Sequence, residues 1–162
     1  MTSAQSEQDL VIRQIEPGDE QAISLLIAQL GYRRTPEQVL EWMAGTGTSS
    51  QQAAFVACRN GEVEGWIEIS IERRLQSSPF ALIGGLVVKE GLRGQGIGRQ
   101  LCRRAEGWSW DRQVETVRVT SRSTRPDAHR FYVRDGYRVV KTSMVFEKDR
   151  PEPVSTGDAA PK

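Results

Sequence analysis

Two hydrophobic periods take turns along this chain. Leu10-Val11-Ile12 with Ile15 reads as a short strand that Pro17-Gly18 interrupts. Asp19 is then placed to cap a helix on which Ile23, Leu26, Ile27 and Leu30 share one face, with Gly31 at its end. Thr35-Pro36-Glu37-Gln38 announces a second helix: a capping threonine, proline at the first helical position and glutamine at the third. Val39, Leu40 and Met43 are its apolar side, and Gly45 is its expected end. After a polar loop over 46–52, Ala53 to Arg59 reads as a strand, and Asn60-Gly61 is a hairpin signal. Period two follows. Val63, Gly65, Ile67, Ile69 and Ile71 fall on one face. Glu62, Glu64, Trp66, Glu68, Ser70 and Glu72 fall on the other, so a packed face is expected opposite a polar face with four carboxylates.

Phe80 to Val88 is apolar almost throughout, the pattern of a central strand buried on both faces. Its one interruption, Gly84-Gly85, suggests a bulge or a backbone that a ligand approaches closely. A glycine-rich turn leads into a helix over 97–111 with Ile97, Leu101, Ala105 and Trp108 on one side. A strand from Val114 to Thr120, a helix from Asp127 to Asp135 closed by Gly136, and strands at Tyr137–Val140 and Ser143–Lys148 complete the series. The expected class is α/β (α+β): a mixed, mostly antiparallel sheet of about seven strands with helices on both faces. The Phe80–Val88 and Val114–Thr120 strands, joined through a helix, are expected to be parallel neighbours.

The chain's 162 residues suit one domain, expected over 10–149, between polar tails at 1–9 and 150–162. A formal charge of +1 argues against a dedicated nucleic-acid binder. Arginines do cluster, between Arg93 and Arg104 and between Arg118 and Arg138, which suits a small polyanion better than a duplex. Cys58 and Cys102 match no disulfide framework or metal spacing and read as reduced structural thiols. The N-terminus lacks a signal-peptide core and no apolar run reaches membrane-spanning length, so a cytoplasmic protein with no membrane partner is expected.

The candidate chemistry lies in LVVKEGLRGQGIGRQL, residues 86–101. A buried strand runs into Arg93-Gly94-Gln95-Gly96-Ile97-Gly98, and a helix starts at once. Backbone N–H groups at such a turn add to the positive end of the helix dipole and form a site for an anion, most naturally a pyrophosphate. Glycine leaves the backbone open to phosphate, and Arg93 and Arg99 add charge. No Lys-Ser or Lys-Thr follows, so the Walker pattern fails; Arg99 stands where the dinucleotide fingerprint requires its third glycine.

With its Arg-Gly-x-Gly-Ile-Gly spacing after a Leu-x-Val strand, this segment resembles the GNAT superfamily of N-acetyltransferases. Arg125-Pro-Asp-Ala128-His-Arg-Phe131-Tyr132-Val-Arg-Asp-Gly136-Tyr137 is similar to the family's second motif, although Arg125 replaces the frequent Asn. The resemblance implies acetyl-CoA as cosubstrate and no metal. It implies a CoA site at Leu86, Val87, Val88, Arg93, Gly94, Gln95, Gly96, Ile97, Gly98 and Arg99, with the strand backbone pairing with the pantetheine arm. It also implies that Tyr132 protonates the leaving thiolate. A phenol, with pKa about 10, is nearly matched to an alkyl thiol; a ring packed on the sheet is the competing reading.

Attack on a thioester further needs a polarised carbonyl, for which the backbone N–H groups at 86–88 are candidates, and a neutral amine. Glu68 and Glu72, on the polar strand face, are the candidate bases, against the competing reading of a solvated face. Trp66 hints at an acceptor-pocket wall or a subunit contact. His129 reads as a helix-surface residue or, less directly, a catalytic one. The expected acceptor is a primary amine of a small molecule, with a protein N-terminus or lysine, or a non-catalytic acyl-CoA-binding module, as alternatives. A homodimer is left open.

Overall fold

A computed structural model of the chain describes residues 9–46 and 49–153. Most of both expected tails, and part of the 46–52 loop, fall outside the described residues. The chain forms two compact units. Met1–Arg122 holds the sheet and three helices, and Ser123–Lys162 holds a fourth helix.

In the first unit the order is β1 (Val11–Gln14), α1 (Glu20–Gln29), α2 (Pro36–Thr46), β2 (Gln52–Arg59), β3 (Glu62–Arg74), β4 (Ser77–Val88), α3 (Ile97–Trp110) and β5 (Val117–Val119). The strands lie side by side in chain order. Every neighbouring pair is antiparallel except β4 and β5, which are parallel across α3. Local chemistry explains several boundaries. Asn60 and Gly61 both take positive φ, 53° and 77°, as the tight β2–β3 turn requires. At α2, the Thr35 N–H donates to Gln38 Oε1 (3.0 Å), and the Gln38 N–H donates back to Thr35 Oγ1 (3.2 Å). Asp19 begins α1 without capping it by its side chain. Its carboxylate instead accepts two 2.8 Å bonds from Arg13 and one of 2.9 Å from the Glu16 N–H. Burial pushes this carboxyl up, but the Arg13 and Glu16 bonds outweigh it and hold Asp19 below its ordinary pKa.

Helices cover both faces of the sheet. Ile23, Leu26 and Val39 of α1 and α2 pack on Val56, Trp66 and Val87. α3 lies on the opposite face, where its Leu101 would stand 3.1 Å from a Cβ placed on Gly65; glycine there lets the helix settle close to β3. The paired register Phe55–Ile67 and Ile69–Ile83 puts those four buried side chains on the α3 face. β3 is the middle strand, and the strand over 80–88 lies inside the sheet between β3 and β5, with Ile83 and Val87 buried on its two faces. The expected polar face of β3 is half core: Trp66 is buried against α1 and α2 rather than walling a pocket or meeting another subunit.

Among the described residues there are five strands, not about seven. The expected Val114–Thr120 strand shrinks to Val117–Val119, with Val114 buried in the turn after α3. In the second unit α4 spans Pro126–Arg134, and the segments 137–140 and 143–148 join no sheet. Their period-two pattern records that they fit a ladder; it supplies no partner strand, and Val145 and Phe146 are left exposed. No helix among the described residues is long and apolar enough to cross a membrane.

Candidate active site

The site begins at a fault in β4. Glu68 pairs with Gly85 and Ile69 with Ile83, so Gly84 is an extra residue, a bulge. A Cβ on Gly84 would collide with the Glu68 carboxylate, and one on Gly85 would lie 2.5 Å from the Trp66 ring. Two consecutive residues thus turn the same way, and only glycine leaves space for the β3 side chains beneath them.

The bulge also changes which way the backbone points. The Ala81 N–H donates across to Thr116 O at 2.9 Å, toward β5, whereas the Lys89 N–H donates to Glu64 O at 2.7 Å, toward β3. In an unbroken strand both odd-numbered residues would face the same neighbour. β5 pairs only with Ala81–Ile83. Past the bulge, the N–H groups of Leu86 and Val88 therefore face an edge that β5 does not reach. The Val87 side chain is buried in the core, so this residue can offer a ligand only backbone.

This open edge leads into the glycine turn. Gly91, Gly94 and Gly96 all have positive φ (85°, 82° and 80°), and no atom lies within 4 Å of where their Cβ would be. Conformation, not crowding, demands glycine there. Gly96 is the N-cap of α3 and gives no side-chain bond to the first turn, whose N–H groups stay available to an anion. Arg93, Gly94, Gln95, Gly96 and Arg99 are exposed and Gly98 half-buried; the Ile97 side chain is buried, anchoring the turn to the sheet, so its part too is limited to its N–H. Other arginines of the sequence clusters pack on rings: Arg104 over Phe55 at 4.6 Å and Arg118 over Phe80 at 3.9 Å.

The two candidate bases differ. Glu68 lies at the bulge and lines an open cleft of about 70 Å3 with Trp42, Gln52, Ser70, Leu82 and Gly84. Burial raises its pKa above the ordinary carboxylate value, partly opposed by the Arg34 charge. Glu72 is not among the residues of that cleft; it accepts a 2.8 Å bond from Ser70 Oγ. In the second unit, Tyr132 is half-buried on α4. Its ring is edge-on to Phe131 and Tyr137, with centroids 5.2 and 5.7 Å away, and its carbonyl accepts the Tyr137 N–H. Arg125 is the N-cap residue of α4 and makes no side-chain cap bond. Among the described residues no cluster of three metal-ligating side chains occurs.

Sequence reading missed Gln29. From α1 its amide donates to Val88 O at 2.7 Å and accepts the Glu90 N–H at 2.9 Å, clamping the end of β4 just before the glycine turn. It also missed Trp42 and Arg34. No local signal marks any of the three, because each acts on residues far along the chain.

Residues 20–137 match the model of the acetyltransferase (GNAT) family. The chain belongs to that family. It is 39% identical over 84 residues to the aminoalkylphosphonate N-acetyltransferase of Salmonella typhimurium, a match covering 51% of this chain and 54% of that protein. The alignment thus spans about half the length of that relative. Identity to the aminoglycoside N(6')-acetyltransferase type 1 of Stenotrophomonas maltophilia is 26% over 140 residues, covering 83% of this chain and 90% of that protein. The solved structure of aminoglycoside N-acetyltransferase AAC(6')-Iy in complex with CoA shares the fold at a TM-score of 0.80 and 17% identity, covering 90% and 98% of the two chains.

Proposed function

We propose that this protein transfers the acetyl group of acetyl-CoA to a primary amine of a small molecule, by direct attack in a ternary complex. The observation that carries the reading is the continuity of the open β4 edge with the uncapped, glycine-lined start of α3, beside the single carboxylate of the bulge cleft. These residues suit CoA: exposed N–H groups for the pyrophosphate, Arg93 beside them, and a free strand edge for the arm. The relatives that act on small amines support the acceptor class.

In this reading Glu68 takes the proton of the incoming ammonium, directly or through water, and its raised pKa brings it nearer the operating pH. The N–H groups at Leu86 and Val88 receive the carbonyl oxygen as negative charge develops on it. The amine forms the new C–N bond and the C–S bond breaks; Tyr132 supplies a proton to the leaving thiolate, and the second proton lost by the nitrogen, relayed through solvent, restores the phenol. Direct attack also suits the cysteines, since Cys58 and Cys102 are both buried.

The test is an acceptor screen following thiol release from acetyl-CoA, with mass detection of acetylated product, beside thermal protection by CoA, ATP and NADH. Amine-dependent thiol release and selective protection by CoA are expected. Equal protection by ATP or NADH would remove the CoA assignment.

A further inference from the structure

The bulge cleft is walled by a helix as well as by the sheet. Val39 and Met43 of α2 pack on the cluster that includes Trp66. Trp42 lies one helical turn after Val39 and shares that side of α2, and Glu68 lies two residues after Trp66 on the same face of β3. Both line the cleft, Trp42 from the helix and Glu68 from the sheet. Trp42 is half-buried, and Thr46 Oγ1 donates to its carbonyl at 2.8 Å within the last turn of α2.

Glu68 is the one charged side chain in that lining, and no cationic side chain accompanies it. Its carboxylate lies against the backbone of Gly84, where a Cβ would collide with it. Among the described residues it accepts no hydrogen bond and forms no ion pair. A half-buried carboxylate without a cation of its own is a place for one that a ligand brings.

An indole adds to that attraction. The negative face of the ring draws a cation, tryptophan more strongly than the other aromatics, and the effect grows as water is excluded. Leu82 offers apolar surface to the carbon beside the nitrogen. The same lining disfavours an anion: an acid group on the carbon that bears the ammonium would meet the Glu68 carboxylate with no cation in the lining to offset it. We infer that Trp42 is a specificity-determining residue for the acceptor. Its indole and the Glu68 carboxylate together hold a primary ammonium on an apolar carbon and turn away amines with an acid group on that carbon. This rests on the acetyltransferase reading and narrows it, to the end of an alkylamine rather than an α-amino acid.

The experiment compares butylamine, 2-aminobutanoate and its uncharged amide as acceptors. Acetyl transfer to butylamine should exceed that to 2-aminobutanoate by about tenfold or more in kcat/KM, and the amide, which has the bulk without the charge, should recover most of the difference. Trp42→Leu should raise the KM for butylamine roughly tenfold, with kcat and the KM for acetyl-CoA little changed; Trp42→Phe, which keeps a ring, should restore much of the loss. A second readout needs no turnover. The indole N–H resonance of Trp42, identified by its loss in Trp42→Phe, should shift when butylammonium chloride is titrated into the protein, and Glu68→Gln should weaken that titration roughly tenfold. An unmoved resonance, 2-aminobutanoate used as well as butylamine, or a Trp42→Leu variant with unchanged KM for butylamine would overturn the inference while leaving acetyl transfer intact. A Trp42→Leu that weakens butylamine and acetyl-CoA alike would overturn it too, by assigning the ring to packing. Absence of thiol release with every amine of a broad panel, together with no protection by CoA, would instead remove the parent reading, and this one with it.

Discussion

The two halves of β4 have nearly the same apolar composition and different pairing. Ala81–Ile83 is hydrogen-bonded to β3 on one side and β5 on the other, and Ala81 and Ile83 are buried. Among the described residues, β3 is the one strand that Leu86–Val88 pairs with. One extra residue, Gly84, separates them by reversing which N–H groups face the open side. Apolar burial therefore says little about which part of a strand is paired on both edges; the backbone register does.

The sharpest break of this comparison is Ile83→Ala. It removes side-chain volume from the doubly paired half and should cost about 4 kcal/mol of stability, while the folded variant binds CoA nearly as well as the parent. Chemical denaturation beside calorimetry checks both halves of that statement. Gly96→Val is its converse. Strain at positive φ should cost about 1–2 kcal/mol, but CoA affinity should fall by roughly 10²-fold or more, because a branched side chain stands where backbone must meet phosphate. Normal affinity in a folded Gly96→Val would reduce the turn to a structural one.

The next two variants ask whether chemistry takes place on the open half. Tyr132→Phe should lower turnover roughly 10²-fold with acetyl-CoA affinity little changed, as expected when a positioned acid is lost. A stability loss with turnover intact would assign the ring to packing. Glu68→Gln should lower turnover on a similar scale, roughly 10²-fold, and remove the acid limb from the pH–rate profile. Its stability effect has the opposite sign. The folded-state pKa of Glu68 is raised, so its contribution is most favourable below the ordinary carboxylate pKa and is lost as pH rises through the folded value. Melting curves should show Glu68→Gln at least as stable as the parent near neutral pH and relatively less favoured in acid.

The smallest effect belongs to Gln29→Ala. Losing the clamp on Val88 and Glu90 should cost about 1 kcal/mol of stability and loosen CoA binding several-fold, through the junction between strand edge and turn. A CoA affinity equal to the parent would mean that the junction holds its shape without α1.

Much of this was legible beforehand where the signal was local. Thr35-Pro36-Glu37-Gln38, Asn60-Gly61 and the positive-φ glycines of the 91–96 turn each specify their geometry over a few bonds, and Gly84-Gly85 marked the fault in β4. Glu68 and Glu72 looked equivalent because period two places both on one face. Only folding put Trp42 and Gly84 around Glu68 and paired Glu72 with Ser70.

By itself the sequence determined the order of elements through α4, the glycine turn that starts α3 and membership of the acetyltransferase (GNAT) family, because capping, φ preference and hydrophobic period act within a few residues of their source. The tertiary structure alone decided which β4 N–H groups face the edge that β5 does not reach, which carboxylate is raised by burial, and that Gln29 bears on residues far from it in the chain. Pairing, desolvation and charge depend on what stands beside a group in space, and no pattern along the chain records that. The same reason accounts for the segments after Gly136: their alternation suits a strand, but a strand exists only where another offers it hydrogen bonds.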